Sequence, residues 1–203
     1  MFSLRSKKVE WRVRVVAELV VPSPEKHMES PGAIDPQLFD LGLFVIRVVF
    51  GLVFAAHGAQ KLFGWFGGYG IAGTGGFLES MGFRPGKMFA TAAGLSEFVG
   101  GLLLALGFLG PVGPALLLSV MLIAGITVHR KNAFFVATNG LEHPLIMATA
   151  AVGIGLTGPG RYSLDAAFGS GALSRPTATW IILAIGVIGA IGNLALRRPA
   201  PSV

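Results

Sequence analysis

The stretch RVVFGLVFAAHGAQKLFGWF, Arg47 to Phe66, is one of the most apolar parts of the chain, and it decides the class of fold. It nevertheless carries three basic side chains, Arg47, His57 and Lys61. Residues that are four, seven or fourteen positions apart share one face of an α-helix. A helix over this stretch therefore gathers the three basic groups on one side, which predicts that this side faces other helices and not lipid.

The composition of the whole chain indicates a lipid environment. The 203 residues are 53% hydrophobic and 13% charged, with a mean hydropathy of +0.70. A soluble domain carries about 25% charged residues, and a transmembrane helix needs about 20 mostly apolar residues. The sequence therefore predicts an all-α integral membrane protein with five spans, at residues 38–60, 88–108, 112–129, 141–156 and 177–196.

Composition also narrows the chemistry. The sequence has no cysteine, which excludes disulfides, thiolate metal sites and iron–sulfur ligation by this chain. The net charge of +6 does not indicate nucleic-acid binding, because the basic residues cluster at span ends and in the tail, where they set topology or meet lipid headgroups. We therefore expect a lipid bilayer as a partner, no nucleic acid and no metal site.

The segments around the spans differ in character. Residues 1–37 are predicted to form a polar, flexible tail that includes a proline-rich linker, and Met28 is an alternative translation start. The glycine-rich segment 63–77 is expected to be a flexible loop that re-enters the membrane, followed by a short interfacial helix. Orientation stays open if the whole tail counts, whereas a start at Met28 places the basic 61–87 and 130–140 loops in the cytoplasm.

Two charges lie deep in the predicted spans. Glu97 is near the middle of the second span, and Arg47 is at a similar depth in the first. A charge at the bilayer centre costs at least about 2.5 kcal/mol and usually pairs or neutralises. We therefore predict an intramembrane Arg47–Glu97 ion pair, which serves either to fix the helix register or to orient Glu97 for chemistry.

Further polar groups collect at one side of the membrane. His129 ends the third span, and Glu142 and His143 begin the fourth. Hairpin alternation places them on the same side as His57 and Lys61. His143 directly precedes a proline and is expected to be interfacial. The topology thus predicts that one membrane side holds three histidines, a lysine and a glutamate.

This convergence predicts a cavity lined by His57, Lys61, Glu97 and His129. A ligand site in a bundle core needs space and a few converging polar groups. The alternatives are structural: the two histidines serve only as hydrogen bonds between helices, and Lys61 is a headgroup charge. A paired-histidine haem site would need both imidazoles opposed across a cavity, and it is the less favoured cofactor assignment.

Several motifs resemble the DoxX family of bacterial membrane proteins. They are RVVFGLVFAAHGAQKLFGWF, GLSEFVGGLLLALG, NGLEHPLIM and GPGRYSLD, in the family's order. The resemblance covers residues 38–168 and implies an antiparallel four-helix bundle in the bacterial cytoplasmic (inner) membrane. Residues 169–203, with a linker, the fifth helix and a short basic C terminus, lie outside this core.

The resemblance implies redox membrane biology, because relatives are linked to thiosulfate:quinone oxidoreductase, methylamine utilisation and oxidative-stress complexes. The first hypothesis is a quinone-linked membrane subunit, or an electron and proton relay to a soluble redox enzyme. Its candidate catalytic residues are Glu97, His57 and His129. Its candidate cofactor-binding residues are Arg47, His57, Lys61, His129 and Glu142.

Two other hypotheses stay open at this stage. One is a non-enzymatic membrane anchor or assembly factor that recruits a soluble oxidative-stress enzyme and whose polar cluster is structural. The other is a small-solute transporter, for which five spans are few unless the chain forms a homo-oligomer. The resemblance does not decide whether the chain is itself an enzyme.

Overall fold

The computed structural model describes residues 34–198, so most of the predicted 1–37 tail lies outside the described residues. Within 34–198 the chain forms helices and turns, without strands. The described helices are α1 Pro36–Phe63, α2 Gly70–Ser80, α3 Gly86–Leu106, α4 Val112–Ala124, α5 Glu142–Thr157, α6 Leu164–Phe168 and α7 Pro176–Ala195. α4 continues as a π-helical turn, Gly125–His129.

Four of these helices are long and apolar enough to cross a membrane. They are α1, α3, α7, and α4 together with its π-helical turn. The predicted all-α membrane fold is confirmed. The predicted span at 141–156 forms α5, but α5 has 16 residues and is shorter than the about 20 residues of an ordinary span.

Glycines set the packing of α1 against α3. A Cβ built on Gly51 would lie 2.6 Å from the carbonyl oxygen of Gly101, and a Cβ on Gly58 would lie 2.7 Å from that of Gly94. Only hydrogen fits at such distances, so the two backbones touch along this seam. The pairing of residue 51 with 101 and of 58 with 94 shows that the two helices run antiparallel.

α5 and α7 pack against α4. Gly155 of α5 lies against Pro114, and Gly186 of α7 lies against Ala115. α7 runs parallel to α4 and packs on its outer side, as predicted for the additional C-terminal helix. The core between the helices is apolar and includes the fully buried side chains of Phe54, Leu117 and Ala151.

The helices define two sides of the membrane domain. Side A holds the start of α1, the α3–α4 turn and the loop at 158–175. Side B holds the end of α1, α2, the loop at 130–141 and the end of α7. On side B the backbone N–H of Arg198 donates to the Gly82 carbonyl at 2.8 Å. The glycine-rich segment predicted as a loop is therefore largely helical, because α2 occupies 70–80 and lies against the start of α3.

Candidate functional site

Arg47 is buried on the α1–α3 seam, but its partners differ from the prediction. Its guanidinium donates to three backbone carbonyls, those of Ala105, Pro159 and Tyr162, the first at 3.3 Å. Only 1% of Arg47 is exposed. The predicted Arg47–Glu97 ion pair is wrong.

The reason is the stagger of the two helices. A Cβ on Gly107, just past the end of α3, would meet the Arg47 guanidinium. Gly107 lies ten residues beyond Glu97, which corresponds to about 15 Å of helix rise. The first half of α1 extends past the end of α3 and is covered by the loop that follows α5. The sequence prediction instead places Arg47 of α1 and Glu97 of α3 at the same depth in the membrane.

The loop GPGRYSLD, residues 158–165, forms a polar lock on side A. The Asp165 carboxylate accepts from the backbone N–H groups of Leu109 and Gly110, at 3.1 and 2.7 Å, and from the Ser170 hydroxyl at 2.9 Å. The same loop supplies two of the carbonyls that hold Arg47. The loop thus joins the α3–α4 turn to α1, and Arg47 has a structural role.

We expect Asp165→Ala to lower the free energy of unfolding by about 2 kcal/mol, because it leaves the partly buried donors of Leu109, Gly110 and Ser170 without their acceptor. The matched control is Asp40→Ala, since Asp40 accepts one exposed bond, from the Arg161 N–H. Thermal unfolding in mild detergent measures both. Equal melting temperatures for the two variants would contradict the proposed importance of this lock.

Glu97 pairs with Lys61 instead. The Lys61 ammonium donates to Glu97 Oε2 across the α1–α3 seam. The Glu97 side chain is 2% exposed, whereas that of Lys61 is 29% exposed. The two side chains form an ion pair that joins α1 to α3. Lys61 is therefore the partner that neutralises the buried Glu97 carboxylate. The alternative, in which Lys61 is only a headgroup charge, does not account for this contact.

His57 and His143 form a second contact beside this pair. Their ring centroids lie 5.6 Å apart with a tilt of 59° between the rings, linking α1 to the first turn of α5. His143 also lies close enough to interact electrostatically with Glu97, Lys61 and His129. The sequence prediction assigns His143 to the interface and misses this contact, although hairpin alternation places His143 on the same side of the membrane as His57.

His129 closes the π-helical turn of α4. Its Nδ1 lies 2.9 Å from the carbonyl oxygen of Asn139, and the Asn132 side chain donates to the same oxygen at 2.9 Å. Glu142, a predicted ligand-binding residue, instead accepts from the backbone N–H of Val136 at 2.7 Å. The two side chains shape the 130–141 loop, and within residues 34–198 no three His or acidic groups are arranged to hold a metal.

A groove opens on side B between α1 and α2. Its volume is about 590 Å³, and Lys61 lies in its wall. The other lining residues are Gln60, Gly67, Gly68, Tyr69, Gly73, Thr74 and Phe77. Tyr69 is 84% exposed at the rim. The structure therefore brings His57, Lys61 and Glu97 together with His143 and places Lys61 at the groove, but the groove lining contains no histidine.

The fold and this site define a multi-pass helical membrane protein in which Lys61, beside a groove, pairs with the buried Glu97. The DoxX family profile matches residues 42–130. The chain is 30% identical over 129 residues to "Inner membrane protein YqjF" of Escherichia coli strain K12, covering 64% of this chain and 93% of that protein.

A second relative is "Putative oxidoreductase CatD" of Bacillus subtilis strain 168. It is 28% identical over 127 residues, which cover 63% of this chain and 87% of that protein. No solved structure matches the chain. The chain belongs to the DoxX family, which confirms the resemblance that the sequence motifs indicate.

Proposed function

We propose that this chain is the membrane subunit of a redox system and that it binds a quinone-like ligand in the groove between α1 and α2. The observation that carries the proposal is the place of Lys61, which lines the groove and pairs with buried Glu97. A volume of about 590 Å³ suits a small organic ligand, since such pockets measure roughly 300–1,000 Å³.

The residues around the groove suit a quinone. The Lys61 ammonium has three donor hydrogens, so it can hold Glu97 and also donate to a ligand carbonyl. Tyr69 and Phe77 offer aromatic faces to a planar ring. Reduction of a quinone to a quinol takes up two electrons and two protons. Glu97 would pass protons to the ligand through Lys61, and a soluble partner would supply the electrons.

The name of one relative agrees with this chemistry, because "oxidoreductase" is part of it. The name agrees only with the class of reaction, and it specifies no substrate. Among the candidate residues, we assign Lys61 to ligand binding and Glu97 to proton transfer. We assign Arg47 and Glu142 to structure, because backbone groups occupy their side chains.

A groove-filling variant tests the proposal. We expect Thr74→Trp to weaken binding of a short-chain benzoquinone at least about tenfold, which corresponds to about 1.4 kcal/mol. The matched control is Gly76→Trp on the same helix, because a Cβ at Gly76 meets nothing within 4 Å. Quenching of tryptophan fluorescence in detergent or nanodiscs, calibrated for each variant, measures affinity.

Equal affinity in Thr74→Trp and Gly76→Trp would overturn the groove as the binding site. Absence of saturable binding in the unmodified protein would overturn the quinone-like ligand itself.

A second candidate function is an anchor for a soluble enzyme, and the surface of side B favours it. Six exposed cations lie on that side, Arg84, Lys87, Arg130, Lys131, Arg197 and Arg198. A basic surface of this kind attracts an acidic protein face as well as anionic lipid. As an anchor alone, the chain would recruit its partner equally well with the groove filled by Thr74→Trp.

Location follows from the same charge distribution. Lys and Arg are enriched on the cytoplasmic side of membrane proteins, and within residues 34–198 they lie mostly on side B. With a start at Met28 this charge bias decides the orientation, so we propose that side B faces the cytoplasm. One relative is named an inner membrane protein, which supports placing the chain in a bacterial cytoplasmic membrane. A soluble electron donor would then approach the groove from the cytoplasm.

A further inference from the structure

Three histidines of different helices lie on side B outside the groove, and one of them, His143, interacts electrostatically with Glu97. His57 lies on α1, His129 ends the π-helical turn of α4, and His143 begins α5. The residues that line the groove include none of them. The protein therefore offers Glu97 two approaches, one through Lys61 from the groove and one through the histidines.

We propose that His129 and His143 form a proton-conducting branch from the side B surface to Glu97, with His57 as the partner that holds the His143 ring. The inference rests on the proposed function, because it supplies the protons that the proposed ligand consumes. It assigns the roles differently from the sequence prediction, in which Glu97, His57 and His129 are the candidate catalytic residues and His143 is interfacial.

The bonding of His129 leaves one ring nitrogen available for proton exchange. A carbonyl oxygen can only accept, so the bond to Asn139 requires the proton on His129 Nδ1. Neutral His129 therefore presents Nε2 as its proton acceptor. Asn139 has a left-handed backbone with φ of 59°, and its carbonyl oxygen also accepts a hydrogen bond from the Asn132 side chain. This second bond helps to fix the carbonyl that selects the His129 tautomer.

The π-helical turn sets the direction of His129. It is closed by a bond from the Arg130 N–H to the Gly125 carbonyl at 2.8 Å, which spans five residues instead of four. Such a turn inserts an extra residue into the helical repeat and rotates the residues that follow, and it occurs often at functional sites. His129 is partly buried, while the adjacent Arg130 is exposed. The turn thus places a titratable ring between solvent and the core.

His143 is the link between this entry point and the buried acid. It interacts electrostatically with Glu97, Lys61, His57 and His129, which are the charged or titratable groups that face it from α3, α1 and α4. Its ring is fixed against His57. Glu97 in turn faces Lys61 and His143. His143 therefore interacts both with His129 at the surface and with the buried acid.

The branch moves one proton from the water on side B to the Glu97 carboxylate. His129 Nε2 takes a proton from water on side B and becomes an imidazolium. It passes a proton to His143, which passes one to the Glu97 carboxylate, and both rings return to the neutral form. Histidine suits this work because its charge changes near neutral pH. Because His129 Nδ1 stays bonded to the Asn139 carbonyl, its Nε2 both accepts and releases the proton, and water that enters between the rings carries the proton over the intervening gaps.

The test follows protonation of Glu97 itself and needs no quinone. Protein in liposomes is subjected to a rapid pH drop while infrared absorption of protonated carboxyls is recorded. Loss of a band in Glu97→Gln assigns it to Glu97. We expect His143→Gln and His129→Gln to slow the rise of this band at least about tenfold. This threshold is conservative, since a positioned acid–base group commonly contributes a factor of about 10² or more. His143→Phe, which keeps a ring beside His57, should slow it as much.

The control is Asp40→Asn, which removes an acid on side A and should leave the rate unchanged. Unchanged rates in folded His143→Gln and His143→Phe proteins would overturn the branch, and so would a Glu97 band that is absent at every pH. Because this rate is measured without ligand, a failure of benzoquinone binding would overturn the proposed function while slowed protonation still supported the branch.

Discussion

Replacing Gly58 by alanine is expected to destabilise the membrane domain by about 3 kcal/mol, at the upper end of the usual cost of overpacking. The added methyl group would meet the backbone of Phe98 and the Gly94 carbonyl oxygen. Backbone atoms cannot rotate aside as a side chain can, so α1 and α3 must separate. The separation also pulls Lys61 from Glu97, because both lie on the same seam.

Gly42→Ala is the matched control on the same helix, since a Cβ at Gly42 meets nothing within 4 Å. We expect it to unfold within about 0.5 kcal/mol of the unmodified protein, as surface substitutions usually do. Unfolding in detergent monitored by tryptophan fluorescence compares the two. Similar stability of Gly58→Ala and Gly42→Ala would show that the α1–α3 seam is looser than its glycines require.

The second large effect is an asymmetry within the ion pair. We expect Lys61→Met to cost about 3 kcal/mol of unfolding free energy, because it strands the Glu97 carboxylate in the core. Glu97→Gln should cost only about 1 kcal/mol, since Lys61 is partly exposed and its flexible chain can turn into the groove. The loss of stability is therefore larger when the charge left unpaired is the buried one, Glu97.

The double variant, Lys61→Met with Glu97→Gln, separates pairing from packing. We expect it to be more stable than Lys61→Met alone, because no charge is left buried. A double-mutant cycle in the same detergent gives the coupling energy. Additive effects, or a larger cost for Glu97→Gln than for Lys61→Met, would contradict the contact and burial on which the proposed proton transfer depends.

The helices and their close contacts could be predicted from the sequence because both follow from local pattern. The apolar runs predict the spans, and the stripe of Gly51 and Gly58 predicts a side of α1 that another helix approaches. The deep position of Glu97 predicts a buried partner of opposite charge. These inferences need only helix periodicity and the cost of charge in lipid.

The identity of the partners could not be predicted, because it depends on how far the helices slide along each other. Arg47 and Lys61 lie on the same stripe, and a sequence gives no stagger that decides which one reaches Glu97. The partners of Arg47 are backbone carbonyls, which every residue has and no side-chain pattern reveals. His143 was overlooked because hairpin alternation predicts only the side of the membrane on which it lies, and not its contact with His57.

The shortness of α5 sets the shape of the lipid around the protein. Sixteen residues span about 24 Å, against a hydrocarbon core of about 30 Å, whereas the 28 residues of α1 span about 42 Å. We expect this hydrophobic mismatch to make α1 tilt or project from the bilayer and to thin the bilayer locally beside α5. Because His143 lies at the start of α5, the thinning would shorten the distance that water must travel to reach the histidines.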